Sequence, residues 1–348
     1  MPDLALTDSP VTDPLTIYRW RDGMYAADLL TAAIVHLDLF TWLAEQPSTL
    51  EGICAHFGIR ARPADVMLTL LTAMGLVISD RGVFRPTPVA REHLVSGSPW
   101  FVGPYYATLK ERPVCLGFVD VLHTDRVANW AGLTDHRDWH ESMNDPEFAS
   151  RFTAAMDCRG RYLGQALARS LDLGDHSRML DVAGGSGIYA CALVAANPHL
   201  HATVLELPPV DGAAATAITE RGLDDRIDVV GLDMLVDPWP SDADVHLFSN
   251  VLHDWPETTM VELLTCSFDA LPVGGSVIIH DAFIDRDKRG PLPVAQYSAL
   301  LMHSTKGKCH SIGEYEACLT RAGFVDFDYA PTVADRGRMV ARKPAKHR

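Results

Sequence analysis

Apolar and polar positions change rhythm twice along this chain. From about Thr16 to Glu45 the residues Leu29, Leu30, Ala33, Ile34, Leu37, Phe40 and Leu43 recur at helical spacing, which predicts one amphipathic helix with a wide stripe to bury. Thr49-Leu50-Glu51 starts a short second helix that stops near Gly58, and Pro63 opens a third that runs to Met74 and ends at Gly75. Val77 to Phe84, with Asp80-Arg81-Gly82 as its polar turn, reads as a hairpin. Three helices and a hairpin make a winged-helix plan. The stretch ahead of them, Met1 to Pro14, reads as a loose polar tail.

Between Trp100 and about Leu173 the apolar pattern is interrupted, with Pro104, Pro113 and Pro146 as punctuation. Phe148 to Met156 is helical in pattern, with Phe148, Phe152 and Met156 at i, i+4 and i+8. Such a trio is ordinarily core, but Phe152 and Met156 are also candidates to face a substrate. After Arg178 short apolar runs alternate with helices, the mark of a parallel α/β sheet. The strands expected are Met179–Val182, Ala202–Glu206, Ile227–Val230, Val245–Ser249 and Ser276–His280, with two more near Phe327 and Met339. The helices include Ile188–Ala196, Glu257–Leu271 and Ser311–Ala322. The fold expected is therefore a doubly wound, mostly parallel Rossmann-like α/β domain at 174–348. It is preceded by a mainly α winged-helix module at 1–100 and by connecting helices at 101–173.

Composition narrows the function classes. A net charge of −15, with no Lys or Arg between Ala64 and Met74 in the would-be recognition helix, removes the phosphate-neutralising side chains that a DNA-binding regulator needs. The winged helix is then expected to dimerise or to pack on its neighbour. The start of the chain has no signal-peptide pattern, and the most apolar helical stretch carries Asp28, His36 and Asp38, so no membrane span is expected. Seven scattered cysteines without CxxC pairs favour a reducing cytoplasm.

The chemistry centres on Met179-Leu180-Asp181-Val182-Ala183-Gly184-Gly185-Ser186-Gly187-Ile188, a buried strand, a glycine turn and a helix start. Glycine lets a ligand approach the backbone, so Gly184, Gly185 and Gly187 present bare amides. Gly185 to Ala190 also fits the loose dinucleotide fingerprint, with Glu206 about 20 residues on as the ribose acid. Asp181 argues against a pyrophosphate and suits a cationic amine. A ligand with a ribose, an amino acid group and no phosphate satisfies both acids, and S-adenosylmethionine is one.

Ligands of such sheets bind beyond the carboxyl ends of the strands. Past the third strand come Asp233 and Met234, placed to meet an adenine amine and ring face. Past the fourth come Asn250, counted with the cofactor contacts, and His253-Asp254-Trp255. His253 is a candidate catalytic base, with Asp281 at the end of the neighbouring strand to orient its ring and Trp255 toward the substrate.

Taken together, Asp181 to Gly187, Asp233-Met234, His253-Asp254-Trp255 and Ala322-Gly323-Phe324 resemble the small-molecule O-methyltransferases typified by plant caffeate and bacterial antibiotic-pathway enzymes. The resemblance spans nearly the whole chain. It implies S-adenosylmethionine as methyl donor, a homodimer formed through the N-terminal domain, a small-molecule acceptor, and His253 as general base toward a hydroxyl. Methyl transfer is an in-line displacement that depends on holding acceptor oxygen and sulfonium methyl together. A non-methylating member of the same fold is a further alternative.

Two departures stand out. The family often places a second acid before the last helix, where this chain has Lys308-Cys309-His310. His303, in Leu301-Met302-His303-Ser304, follows His253 by 50 positions, and with Met302 it is a candidate substrate contact. Were His253, His303 and Asp281 to converge, they would form a two-histidine, one-carboxylate set for a divalent metal such as Fe or Zn. Such a metal would suit C-methylation at the β-carbon of an α-keto acid through its enolate.

Overall fold

In the computed structural model, which describes residues 6–128 and 142–345, the stripe expected as one helix from Thr16 to Glu45 is broken twice. Leu15–Asp22 stops at Gly23, Ala26–Thr31 continues through a wide π turn at Ala32–His36, and Leu39–Glu45 follows Asp38, which sits at φ 48°. Asp38 stabilises that 58° bend by accepting from Thr41 Oγ1 at 2.6 Å. Apolar spacing alone does not register a bend that leaves the buried face continuous: Leu29, Phe40 and Leu43 are all fully buried. Asp28 is buried on this face, and the Arg112 guanidinium meets its two oxygens at 2.7 and 3.2 Å. That bidentate pairing makes a buried charge tolerable.

The other expected elements of this unit form. Thr49 caps helix Leu50–Phe57 by accepting from the Gly52 amide, and Gly58 ends the helix at φ 64°. Helix Ala61–Ala73 follows. Strands β1 (Ser48–Thr49), β2 (Val77–Asp80) and β3 (Val83–Pro86) lie in the order β1-β3-β2. Arg81 and Gly82 both take positive φ, the two-residue turn that matches strand twist. Among the described residues no single helix is long and apolar enough to cross a membrane; only the bent pair Leu15–His36 and Leu39–Glu45 passes by length and composition.

The chain divides into two compact units that the expected boundaries at 100 and 173 do not reproduce. One unit takes residues 17–139 with 284–311; the other takes 140–283 and 312–348 with the chain ahead of residue 17. The excursion at 284–311, expected within the C-terminal domain, belongs to the first unit because its polar partners are there. Arg62 donates to the Gly307 carbonyl at 2.6 Å, and the Asp65 carboxylate takes Lys288 Nζ at 2.9 Å and Lys308 Nζ at 2.5 Å.

In the second unit seven strands lie in the order β6-β5-β4-β7-β8-β10-β9: β4 (Arg178–Val182), β5 (His201–Glu206), β6 (Ile227–Gly231), β7 (Val245–Ser249), β8 (Ser276–Asp281), β9 (Val325–Pro331) and β10 (Gly337–Arg342). The first five are parallel, and β10 runs antiparallel between β8 and β9. The strand order reverses between β4 and β7, which opens the crevice where such sheets bind ligands. One face is sealed by Leu180, Phe248, Leu264, Tyr315, Leu319 and Phe324.

Helix Pro146–Ser170 extends well beyond the expected Phe148–Met156. Asp145 caps it by accepting from the Glu147 and Phe148 amides. Its later turns bury Leu163, Ala166 and Leu167 and pack closely through glycine: a Cβ at Gly160 would meet Ile188 at 2.3 Å, and one at Gly164 would meet Ala192 at 3.1 Å. The helix therefore lies directly on helix Ile188–Ala196, which follows the glycine turn.

Candidate active site

Both strands that border the crevice end in a left-handed residue other than glycine, Ala183 at φ 53° after β4 and Asn250 at φ 55° after β7. Left-handed backbone at a non-glycine residue is uncommon, and it recurs where backbone is held for function. Gly187 then starts helix Ile188–Ala196 at φ 71°. The residues of the turn are thus aimed by backbone geometry.

Asp181 is completely buried at the end of β4. Neither carboxylate oxygen makes a hydrogen bond of ordinary geometry, although the Ala190 amide dipole favours its charge. Burial pushes its pKa up to about 7. The carboxylate lies where Gly184 would carry a side chain, since a Cβ there would come within 2.6 Å of Oδ2. Glu206 closes β5, and its oxygens accept from the Gly185 amide at 2.9 Å and the Leu207 amide at 2.6 Å. Burial raises its pKa to about 7 as well, against the pull of those amides. Two acids costly to ionise and a turn with no room for a side chain at Gly184 fit a ligand that brings a cationic amine and a ribose. Asp181 with the glycine amides would hold the amino acid end of S-adenosylmethionine, and Glu206 its hydroxyls.

Asp233 and Met234 are half-buried beyond β6. The Asp233 carboxylate accepts from the Leu235 amide at 2.9 Å, while the Met234 carbonyl accepts from Trp239 Nε1 at 2.9 Å. Asn250 donates to the Tyr189 hydroxyl at 3.1 Å and accepts from Arg336 Nε at 3.4 Å. Tyr189 and Arg336 were not indicated by spacing, because one sits inside an apolar helix and the other in the β9–β10 turn.

On β8 the alternation of side chains sends consecutive residues into different networks. His280 turns to Ser249 Oγ at 2.8 Å and to the Tyr189 ring, and burial holds it neutral with a pKa of about 3. Asp281 turns the other way. His253 Nδ1 lies 2.5 Å from Asp281 Oδ1, and the Tyr315 hydroxyl donates to Oδ2 at 2.9 Å. The Ala282 amide also donates to Oδ1. Burial alone would lower the His253 pKa, but Asp281, and Asp254 with its carboxylate 3.7 Å from Nε2, outweigh it and leave it raised. With Nδ1 donating to Asp281, Nε2 carries the lone pair and is the atom able to accept a proton. Tyr315 lies on an ordinary core stripe, so nothing in its spacing separated it from the other buried aromatic residues.

The remaining candidates divide. Trp255 joins the hydrophobic core with Leu252 and Met260. Phe152 and Met156 are half-buried, with the Phe152 ring stacked on Phe148 at 6.1 Å. Met302 and His303 belong to the other unit, where the His303 ring meets Tyr25 and Phe118 edge-on at 5.1 and 5.0 Å. Among the described residues no three His, Cys, Asp or Glu side chains form a metal-ligating group.

Comparison with known proteins agrees with this arrangement. A family model described as an O-methyltransferase domain matches residues 124–325. The chain is 34% identical over 312 residues, 89% of each protein, to a 3-hydroxy-5-methyl-1-naphthoate 3-O-methyltransferase of Streptomyces sahachiroi. It is 32% identical over 312 residues to an L-tyrosine C(3)-methyltransferase of Streptomyces lavendulae, covering 87% of this chain and 84% of that one. A solved O-methyltransferase family 2 protein from Planctomyces limnophilus, in complex with apigenin, superposes with a TM-score of 0.87 at 31% identity, over 99% of this chain and 100% of the other. With the crevice, its acids and the His253–Asp281 pair in place, the chain belongs to the O-methyltransferase domain family, whose members transfer a methyl group from S-adenosylmethionine to a small molecule.

Proposed function

We propose that the acceptor is a phenolic hydroxyl on an aromatic small molecule and that His253 is its general base. The observation that carries this reading is the His253 Nδ1–Asp281 Oδ1 contact, which fixes the tautomer with Nε2 as proton acceptor. A base with a pKa above 6.5 is matched to a phenol of pKa ~10, because the two differ by only a few units. Asp281 stabilises the imidazolium as it forms, and Tyr315 with the Ala282 amide keeps that carboxylate ionised and aimed. S-adenosylmethionine, when bound, supplies an electrophilic methyl on a sulfonium. Asp181, Gly184, Gly185, Gly187 and Glu206 would hold it, with Asp233, Met234 and Asn250 around the nucleoside. Arg159, on helix Pro146–Ser170, has its charge close enough to act on His253 and Tyr189, and it adds a cation suited to a carboxylate in the crevice. Phe152 and Met156 on that helix are offered as apolar acceptor contacts.

The homodimer belongs to the same reading. Ile17, Trp20 and Met24 follow one another at i, i+3 and i+7 and are largely exposed, Trp20 at 80%. An apolar row of this kind suits a second copy of the chain. The seven cysteines, all thiols, suit a reducing cytoplasm.

The deciding experiment incubates the protein with S-adenosylmethionine labelled in its methyl group and two acceptor sets, hydroxylated aromatic compounds and α-keto acids, with and without a chelator. Label recovered as a methyl ether, indifferent to chelation, supports the reading. Label on carbon that requires added metal would replace it with the enolate chemistry.

A further inference from the structure

We propose that Asp157 is a positioning residue for the cofactor turn, acting through Ser186; the inference rests on the S-adenosylmethionine reading of that turn. Asp157 lies on helix Pro146–Ser170, away from the glycine motif in sequence. Its Oδ1 accepts from Ser186 Oγ at 2.6 Å and from Arg221 Nη2 at 2.6 Å, while Oδ2 takes Arg161 Nε at 3.3 Å. Arg221 follows helix Val210–Glu220, and its side chain is only 5% exposed, so the carboxylate is tied to a buried cation at the end of a second helix.

The location of Ser186 gives this tie its purpose. It stands between Gly185 at φ 61° and Gly187 at φ 71°, in a turn whose other members have no side chain able to anchor it. Glycine carries the largest conformational freedom of any residue, so a glycine turn that must present its amides in one arrangement needs an external fix. Ser186 Oγ is the one polar side-chain atom the turn from Gly184 to Gly187 has, and it is spent on Asp157. The absence of side chains at Gly160 and Gly164 is what allows the carrying helix to come close enough for that bond to form. The same helix carries Phe152, Met156 and Arg159, so one rigid element aligns the cofactor turn with the groups proposed to face the acceptor.

The effect to be measured is on cofactor affinity. Calorimetry with S-adenosylhomocysteine should show binding to wild type, about tenfold weaker binding to Ser186→Ala, the loss expected of one charge-assisted hydrogen bond, and a smaller loss in Asp157→Asn, whose amide oxygen still accepts from Ser186 Oγ. The double variant should be no weaker than Ser186→Ala alone, because without the hydroxyl the change at Asp157 has no bond to the turn left to weaken. In turnover, KM for S-adenosylmethionine should rise in each by more than kcat falls, while KM for the acceptor stays put. A merely structural role would lower the melting temperature without that split. Ser186→Ala leaves the Asp157–Arg221 pair intact, so it tests the proposal even if Asp157→Asn does not fold. Unchanged affinity in Ser186→Ala, or additive losses in the double variant, would overturn the proposal. No binding by the wild type would instead remove the cofactor reading on which it rests.

Discussion

His253 Nδ1 and Asp281 Oδ1 stand 2.5 Å apart in a region closed to solvent, and the opposite oxygen of the same carboxylate is taken by Tyr315. The Tyr315 hydroxyl and the Ala282 amide hold Asp281 from two further directions.

The pH dependence of catalysis follows from this pair. His253 acts as base only when neutral, and its pKa lies above 6.5, so kcat/KM for the acceptor should climb with pH through an apparent pKa above 6.5. In Asp281→Asn the raising charge is lost and burial dominates, so that pKa should fall below 6.5 as kcat drops by ~100-fold or more, the usual scale of an acid–base contribution. An apparent pKa that is the same in both proteins would disconnect His253 from the rate. His253 contributes stability that is fully present below its unfolded pKa of 6.5 and is lost as pH rises through its folded-state pKa, while Asp281, whose pKa is lowered from 3.8, contributes stability that is lost as pH falls through its own.

Removal of the Tyr315 hydroxyl tests the third member. Tyr315→Phe keeps the ring in the core and leaves Asp281 Oδ2 without its donor, at a cost of about 1–3 kcal/mol. Urea unfolding should register that loss, and kcat should fall while S-adenosylmethionine affinity is preserved. A variant as stable and as active as wild type would show that the hydrogen bond does not matter to either property.

Cofactor affinity should depend on pH for a separate reason. Asp181 and Glu206 are raised to about 7 without ligand, and a cationic amine and ribose hydroxyls favour their charged forms. If one of them must ionise on binding, affinity measured by calorimetry should improve about tenfold from pH 6 to pH 8, with proton release near pH 6. In the ligand-free protein the sign is opposite. Each raised carboxylate contributes stability that is full below its unfolded pKa, near 4, and is lost as pH rises through about 7. Melting temperatures without ligand should therefore decline across that interval as far as these two groups decide them. A flat affinity profile would mean that neither acid changes protonation on binding.

The exposed apolar residues Ile17, Trp20 and Met24 are tested by charge. Trp20→Asp places a carboxylate in a surface suited to a second copy, and light scattering should show a dimer for wild type and a monomer for the variant. Equal masses for the two proteins would move the dimer surface elsewhere or dispense with it.

Local chemistry in the chain was enough for the strands β4 to β8, whose apolar runs and flanking glycines put their ends within a residue or so of the expected positions. It also placed Asp181, Glu206, His253 and Asp281 at or just past the carboxyl ends of their strands, because parallel strands deliver such residues to one crevice. Whatever depends on which surfaces meet was decided only by the fold. The 25-residue helix at Pro146–Ser170 carries glycines where it packs on Ile188 and Ala192, which interrupts its apolar stripe between Met156 and Leu163. The stretch at 284–311 takes its partners, Arg62 and Asp65, from far earlier in the chain, and this assigned His303 to the unit of Tyr25 and Phe118. The ties of Tyr315 to Asp281 and of Asp157 to Ser186 span 34 and 29 positions and became visible only through their hydrogen bonds. Periodicity records how a segment divides itself between core and solvent; which distant side chain completes a hydrogen bond depends on packing across elements, and a linear pattern carries no term for that.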